Sequence, residues 1–343
     1  MRFLGCRLEN VPESKRKSVV IIGAGPAGLG AAGRLVCWGH EVLVVDKMPE
    51  PGGLLIFGIP EFRIPKDRIR AGIRELREAG VEFRTGVVVG KDVSLETLIR
   101  DFDAVLIATG TWETRRLNIP GASLEGVYGA LEYIVDYFLA KYGYKPLDSV
   151  PPLAEKTVVV GGGYTAVDAC HVARERGARE VHLVYRRTRR EAPAGVEEFE
   201  RLEKVGVIIH ELVSPKRYIG CDGRVCGVEL IRMRLGAPDE SGRPRPEPIP
   251  GSEHVLEAGS VLEAVGLRPT PPFDPGTNHG IRLNRDGTIW TDEAFRTTRR
   301  KVFAAGDVRH GASKIGPALK SGIDASRFIH EFLTGALKGW PGL

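Results

Sequence analysis

The sequence contains no glutamine and little asparagine. These are the heat-labile amides, so their scarcity points to a thermophilic source. Cysteine is scarce as well, with 5 in 343 residues. Cys6, Cys37, Cys170, Cys221 and Cys226 are odd in number and include no CxxC pair. That argues against a secreted disulfide framework, a zinc ribbon and a self-contained iron–sulfur domain. The histidines are scattered, none spaced from cysteines or carboxylates as metal ligands are, so no metal is expected. His171, within a helical stretch, reads as structural.

Charge of one sign is not in large excess: the net charge is +5 and the pI about 8.9. This is too weak to argue for nucleic acid, and phosphate ligands would account for it equally well. Residues 1–17 lack the apolar run and small-residue cleavage site of a signal peptide. The most apolar stretch, Val19 to Val45, holds Arg34, His40 and Glu41 and is broken by Gly23, Gly25, Gly28 and Gly39. A membrane span of about 20 residues tolerates such charges badly. The expectation is a cytoplasmic chain with no membrane span and no nucleic-acid partner.

What is present is glycine, 43 residues of it, in a chain long enough for roughly two domains at about 150 residues each. Val19 to Ile22 does not alternate and reads as a buried parallel strand. Gly23-Ala24-Gly25-Pro26-Ala27-Gly28 follows, then a helix to about Trp38, stopped by Gly39. Val42 to Val45 is the next strand, closed by Asp46. This is GxGxxG in the setting that gives it meaning: Gly23 allows the tight turn, Gly25 admits a pyrophosphate, and Gly28 lets helix and strand pack. Asp46 stands where ribose hydroxyls would be bound.

The design recurs. Thr157 to Val160 is a strand, Gly161-Gly162-Gly163 a turn, Tyr164 to about Arg176 a helix, and Val181 to Tyr185 the next strand. Here the motif is GxGxxA, with Ala166 in third place. Arg186, followed by Arg187, stands opposite Asp46 when the two units are aligned. An acidic residue there would repel a 2′-phosphate whereas arginine would grip it, so NADP(H) is expected over NAD(H). A solvated charge run or nucleic-acid patch is the competing reading. A nucleic-acid footprint would spread over one face with interleaved aromatics, and none is seen.

Three more apolar strands run into glycine: Ala104–Ala108 into Thr109-Gly110, Val261–Val265 into Gly266, and Val302–Ala305 into Gly306-Asp307. That is the form of the carboxyl edge of a parallel sheet, where ligands bind. The Pro- and charge-rich stretch Gly236 to Gly251 reads as a surface excursion, and Pro317 to Leu333 as a closing helix.

Taken together, these stretches resemble the small (beta) subunit of glutamate synthase and its relatives, FAD-dependent NAD(P)H oxidoreductases with two dinucleotide-binding domains. The resemblance runs from about Ser18 to Leu333. It rests on PGGLLIFGIPEFRIPK (Pro51–Lys66), DAVLIATG (Asp103–Gly110), VVVGGGYTAVDA (Val158–Ala169) with YRRTRREAPA after it, AVGLRP (Ala264–Pro269) and VFAAGDVRHGAS (Val302–Ser313). It implies FAD contacts at Gly23, Gly25, Pro26, Ala27, Gly28, Asp46, Lys47, Gly53, Leu54, Gly58, Ile59, Pro60, Thr109 and Gly110. Further FAD contacts are implied at Gly306, Asp307 (to the ribityl chain), Gly316, Pro317 and Ala318. It implies NADP(H) contacts at Gly162, Gly163, Tyr164, Thr165, Arg186, Arg187, Val265 and Gly266.

Two departures from the family stand out. Its larger members carry an N-terminal, Cys-rich iron–sulfur domain, whereas this chain begins a short arm before its first strand, with Cys6 alone. Tyr164 also stands where the family has Asp or Asn. In related disulfide reductases a Tyr at the matching place lies over the flavin and gates nicotinamide access; the alternative is a Tyr packed on the helix start. Cys221 and Cys226, in CDGRVCGVEL, read as loop and core cysteines of a hairpin. The redox pairs of those reductases fall elsewhere in the chain.

The expected fold is α/β, with two Rossmann-like domains. An FAD domain of residues 1–114 and 269–343 is interrupted by an NAD(P)H domain of 115–268. The expected reaction is hydride transfer from NADPH to FAD and onward electron delivery to a partner subunit or separate iron–sulfur protein. No acid–base residue is assigned, because hydride transfer needs alignment more than proton transfer. The alternatives are a stand-alone NADPH oxidase or acceptor reductase (quinone, dye or thioredoxin-type), and a flavin-binding assembly subunit with a silent nicotinamide site.

Overall fold

The structure is a computed structural model that describes residues 2–5, 16–239 and 242–341. Cys6, in the expected N-terminal arm, lies outside the described residues. The chain begins with β1 (Ser18–Ile22), α1 (Pro26–Cys37), β2 (Glu41–Asp46), α2 (Leu54–Phe57), α3 (Lys66–Glu78), β3 (Glu82–Thr85), α4 (Leu95–Asp101), β4 (Ala104–Ile107) and β5 (Thr111–Thr114). It continues through β6 (Val127–Gly129), α5 (Ala130–Lys141), β7 (Lys156–Val160), α6 (Tyr164–Glu175), β8 (Glu180–Tyr185), α7 (Val196–Lys204) and β9 (Ile208–Glu211). Then come β10 (Val213–Cys221), β11 (Arg224–Pro238), β12 (Pro244–Pro248), β13 (His254–Glu257), β14 (Ser260–Glu263), β15 (Leu267–Pro269), β16 (Val302–Ala304), α8 (Asp307–His310) and α9 (Ile315–Leu333). Two compact units result: Met1–Trp112 with Arg268–Leu343, and Glu113–Leu267.

In the first unit the strands lie in the order β16-β4-β1-β2-β3, all parallel. Reversed, this is the order of a Rossmann half, with the chain switching direction between β1 and β4, where such sheets open a crevice at their carboxyl ends. Both faces are covered, which is why Val19 to Ile22 is apolar throughout. One face, bearing Val20, Ile22, Leu43, Val45, Val105, Ile107 and Val302, packs on Leu95, Leu98 and Ile99 of α4 with Ile281 and Ile289. The other face carries α1, set so close that a Cβ on Gly28 would stand 3.3 Å from the Ile21 side chain.

Helix α9 crosses α1 at backbone distance. A Cβ on Gly322 would lie 1.9 Å from Ala27 O, and one on Gly30 would lie 2.7 Å from Leu319. Each helical glycine costs about 1 kcal/mol against alanine, offset here by contact that no larger residue permits. The helix starts at Ile315, two residues before the expected Pro317. Proline is tolerated in the first turn because no intrahelical bond needs its N–H there. At the amino end of the chain, Phe3 is buried and its carbonyl crosses α1 where only Gly33 fits.

The second unit repeats the plan, its parallel strands in the order β6-β14-β7-β8-β9. Antiparallel strands β10 to β13 add a second layer, and Tyr218, Val228 and Leu230 pack on Val158, Val160, Val184 and Val261. Two expectations are corrected in this layer. The stretch 236–251 is not a bare excursion: β12 pairs with β11 from Met233–Pro248 to Pro238–Pro244. Its composition conceals this, because Pro244, Pro246 and Pro248 alternate along β12. Cys221 and Cys226 are not separate loop and core cysteines but form a disulfide at the tip of the β10–β11 hairpin. Asp222 and Gly223 turn that tip with φ 51° and 80°.

Candidate functional site

Strand β1 ends in a turn whose three glycines do different work. Gly23 has φ 108°, and a Cβ on it would lie 2.4 Å from Ala108 O. A Cβ on Gly28 would lie 1.8 Å from Gly23 O. Both are therefore closed against protein backbone. Gly25 is extended, at φ −77° and ψ −172°, and a Cβ there would meet nothing within 4 Å. It is the N-cap of α1, a helix with no side-chain cap and no acidic residue in its first turn. The positive end of the helix is thus left facing open space, as an anion site requires.

Three further segments meet this turn. Gly52 N donates to Ala24 O at 2.9 Å, and a Cβ on Gly53, which has φ 53°, would stand 3.0 Å from Gly25 Cα. Thr109, after β4, lies against Gly23. Gly306 abuts Ala27, and its N–H donates to Ser321 Oγ at 2.9 Å. The carboxylate of Asp46 is buried and accepts from Ala24 N at 2.5 Å and Met48 N at 2.7 Å. A carboxylate can accept about four hydrogen bonds, so capacity for a ribose hydroxyl remains. Burial pushes its pKa up, against the pull of those N–H groups and Lys47. The Lys47 ammonium lies 4.2 Å above the Trp112 ring, and burial pulls its pKa down. Asp307 opens α8 and accepts from Ser313 Oγ at 2.6 Å. Gly316, Pro317 and Ala318 fall in the first turn of α9.

Two features of this site go beyond the expected contacts, which include Thr109 but neither Thr111 nor Lys66. The side-chain oxygens of Thr109 and Thr111 are buried without a hydrogen-bond partner. Such orphans carry a cost unless a ligand completes them, and they fit a polar cofactor in this crevice. Lys66, at the start of α3, is 4% exposed and donates to Leu55 O at 2.7 Å and Ile59 O at 2.5 Å. It ties down the segment holding Leu54, Gly58, Ile59 and Pro60. The only hint in the sequence is a lysine just after Pro65, in the first helical turn, where a cation opposes the dipole.

The second unit reproduces the turn. A Cβ on Gly161 would lie 2.4 Å from Ala264 O, while Gly163, the N-cap of α6, has nothing within 4 Å. Helix α6 likewise has no side-chain cap and no acidic first turn. Gly162 is closed by the Tyr185 ring, 2.4 Å from where its Cβ would be. Arg115 N donates to Gly266 O at 2.8 Å, beside Val265. Tyr164 is 39% exposed, and Thr165 is half-buried behind it.

The two arginines after β8 part company. Arg186 is exposed. Arg187 is 3% exposed, its Nη2 2.6 Å from Asp239 Oδ2 and its Nε donating to Pro244 O at 2.7 Å. Arg189 pairs with Glu203 at 2.8 Å and with Glu211.

Among the described residues, no helix is long and apolar enough to cross a membrane. Residues 17–323 match the family model described as pyridine nucleotide-disulphide oxidoreductase. The chain is 40% identical over 324 residues to the glutamate synthase [NADPH] small chain of Halomonas elongata, covering 92% of this chain and 68% of that protein. It is also 40% identical over 327 residues to the NADP(+)-dependent formate dehydrogenase subunit beta of Moorella thermoacetica, covering 95% of this chain but only 45% of that protein. In fold it is similar to Mycobacterium tuberculosis FprA in complex with NADPH, with a TM-score of 0.78 at 22% identity over 95% of this chain and 87% of that one. With two Rossmann-like units, two open glycine turns and these relatives, the chain belongs to the pyridine nucleotide-disulphide oxidoreductase family and is an FAD-dependent NAD(P)H oxidoreductase.

Proposed function

We propose that the first unit holds FAD and the second NADP(H), that NADPH is the electron donor, and that electrons leave to a separate partner subunit or iron–sulfur protein. The observation that carries this reading is a contrast between two turns of one design. A buried carboxylate, Asp46, closes the first, and an exposed guanidinium, Arg186, closes the second. Ribose hydroxyls donate to a carboxylate, whereas a 2′-phosphate is repelled by one and held by arginine.

FAD, when bound, supplies hydride acceptance from a nicotinamide and the release of electrons singly or in pairs. The chain's own residues bind and orient. Gly25 and the N-terminus of α1 receive the FAD pyrophosphate, Asp46 its ribose, the Thr109 hydroxyl a polar group of the cofactor, and Asp307 the ribityl chain. Gly163 and the N-terminus of α6 receive the NADP(H) pyrophosphate. The N-terminus of α9, with Gly316, Pro317 and Ala318, favours negative charge on a nearby ligand. A separate partner is supported by relatives whose names make them small chains or beta subunits.

Anaerobic titration of the FAD-loaded protein with NADPH and with NADH tests the donor. Bleaching of the flavin band at lower NADPH than NADH is expected. A flavin that stays oxidised with both refutes the reading and leaves a flavin-binding assembly subunit. Turnover with a ferredoxin-like protein but not with oxygen, quinone or dye is expected of an electron-input subunit. Fast turnover with those small acceptors would make it a stand-alone reductase. Unchanged flavin reduction and fluorescence in Tyr164→Ala would remove any gating role for that ring.

A further inference from the structure

The β11–β12 hairpin is docked onto the end of β8, and the contacts that dock it come from Arg187. That side chain is almost wholly buried, with its Nη2 2.6 Å from Asp239 Oδ2 and its Nε donating to Pro244 O at 2.7 Å. Asp239 and Arg243 are in turn paired across the hairpin. Asp239 N donates to Arg243 O at 2.7 Å, and Arg243 N donates to Asp239 Oδ1 at 3.3 Å. Arg187 thus grips both the residue that pairs with Arg243 and the residue that follows it.

The consequence is a crowding of cations. Although Arg186 reaches solvent, partial desolvation and the guanidiniums of Arg187 and Arg243 pull its pKa down, and Tyr185 and Asp239 oppose them. Arg187 and Arg243 also act on the buried Tyr185 hydroxyl, which donates to Glu191 O at 3.2 Å. Arg186, Arg187 and Arg243 are thereby gathered, with Asp239, at the end of the strand that follows the second glycine turn. Arginines gathered beside the strand end where the ribose of a bound dinucleotide would lie suit a phosphate ligand.

We propose that Arg243, carried in by the β11–β12 hairpin, joins Arg186 in holding the 2′-phosphate of NADP(H), and that Arg187 is a positioning residue that holds the hairpin in place. This rests on the reading that the second unit binds NADP(H). It departs from the sequence expectation, in which the adjacent Arg186 and Arg187 are the phosphate pair. Arg187 is 3% exposed, and its Nε and Nη2 are already directed at Pro244 and Asp239 within the protein, whereas Arg186 faces solvent. Arg243 lies 57 residues downstream of Arg186 and is invisible to a motif confined to one βαβ unit.

The test uses the FAD-loaded full chain, with calorimetric titration of 2′,5′-ADP and 5′-AMP as probes that differ by the 2′-phosphate. Arg243→Ala should weaken 2′,5′-ADP by about 10- to 100-fold, the scale of one charge-assisted hydrogen bond, and leave 5′-AMP within about twofold. Arg243→Lys should recover part of the loss. Arg187→Ala should lose the same selectivity. The double variant Arg187→Ala/Arg243→Ala should lose no more than either alone, because one acts through the other. A wild-type protein that binds the two probes equally would overturn the NADP(H) reading and this inference with it. Preference for 2′,5′-ADP that survives Arg243→Ala would overturn the inference and leave the reading intact. Additive losses in the double variant would make Arg187 a direct ligand and overturn its positioning role.

Discussion

Gly25→Ala should separate the holding of a cofactor from the holding of the fold. Its φ of −77° and ψ of −172° suit any residue, and its added methyl would meet nothing within 4 Å. Losing glycine from the unfolded chain stabilises by about 0.4–1 kcal/mol, and alanine is a poorer N-cap than glycine by a similar amount. The two offset, so the melting temperature of the protein without FAD should move by less than about 3 °C. Gly28→Ala is the control. Its methyl would stand 1.8 Å from Gly23 O, a backbone atom in a turn that cannot swing aside. Overpacking of that kind costs about 1–3 kcal/mol, against a helix-propensity gain of about 1 kcal/mol. In FAD titrations followed by fluorescence quenching, Gly25→Ala should lose about 10- to 100-fold in affinity, equivalent to about 1.4–2.8 kcal/mol. Equal destabilisation by both variants would mean that the space over Gly25 is not open. Unchanged FAD affinity in Gly25→Ala would mean that this turn does not cradle the pyrophosphate.

Lys66→Met should leave the Leu55 and Ile59 carbonyls short of a donor, at a cost of about 1–3 kcal/mol. Faster FAD release at little change in far-UV circular dichroism would follow, and an unchanged release rate would refute the assignment. Removing the Cys221–Cys226 disulfide should cost at most roughly 2 kcal/mol, because it closes a short loop. Thermal melts of the double variant Cys221→Ser/Cys226→Ser against wild type check this, and the rate of flavin reduction by NADPH should not change between them. His40 is buried, its Nε2 lies 2.9 Å from His330 Nδ1, and burial and His330 lower its pKa to about 4. It folds neutral, so its contribution is complete above the unfolded value near 6.5 and is lost as pH falls towards 4. The loss should be on the order of 2 kcal/mol after allowing for solvent screening, and melts of His40→Gln across that window should show a shallower decline than wild type.

The elements legible in the sequence are those whose cause is local. Val19–Ile22 and Thr157–Val160 are apolar because both faces of a parallel sheet are covered, and Gly23 and Gly161 follow because the chain must turn against a neighbouring strand. The positions of Asp46 and Arg186 are legible because each closes the strand that follows a glycine turn and its helix. Lys66 is not, since its partners are two carbonyls whose positions exist only after α2 and α3 have packed. The role of Arg243 is hidden for the same reason, being created by pairing β11 with β12. Cys221 and Cys226 could have been loop thiols or a bridge, and only the register of the β10–β11 hairpin brings their sulfurs together.

The prolines of β12 have a consequence for how this protein behaves at high concentration. Ile249 N donates to Arg232 O at 2.8 Å, so Ile249 faces β11, and the two-residue period places Glu247 and Arg245 on that side as well. Pro244, Pro246 and Pro248 then face away from β11. Among the described residues β12 pairs with β11 alone, so this outward side is a sheet edge. An exposed edge ordinarily offers a row of N–H groups on which a strand of another molecule can form. Here that row has no donors, because every outward residue of the strand is proline. The hairpin that carries Arg243 can extend from the body of its unit without serving as a template for strand-to-strand aggregation.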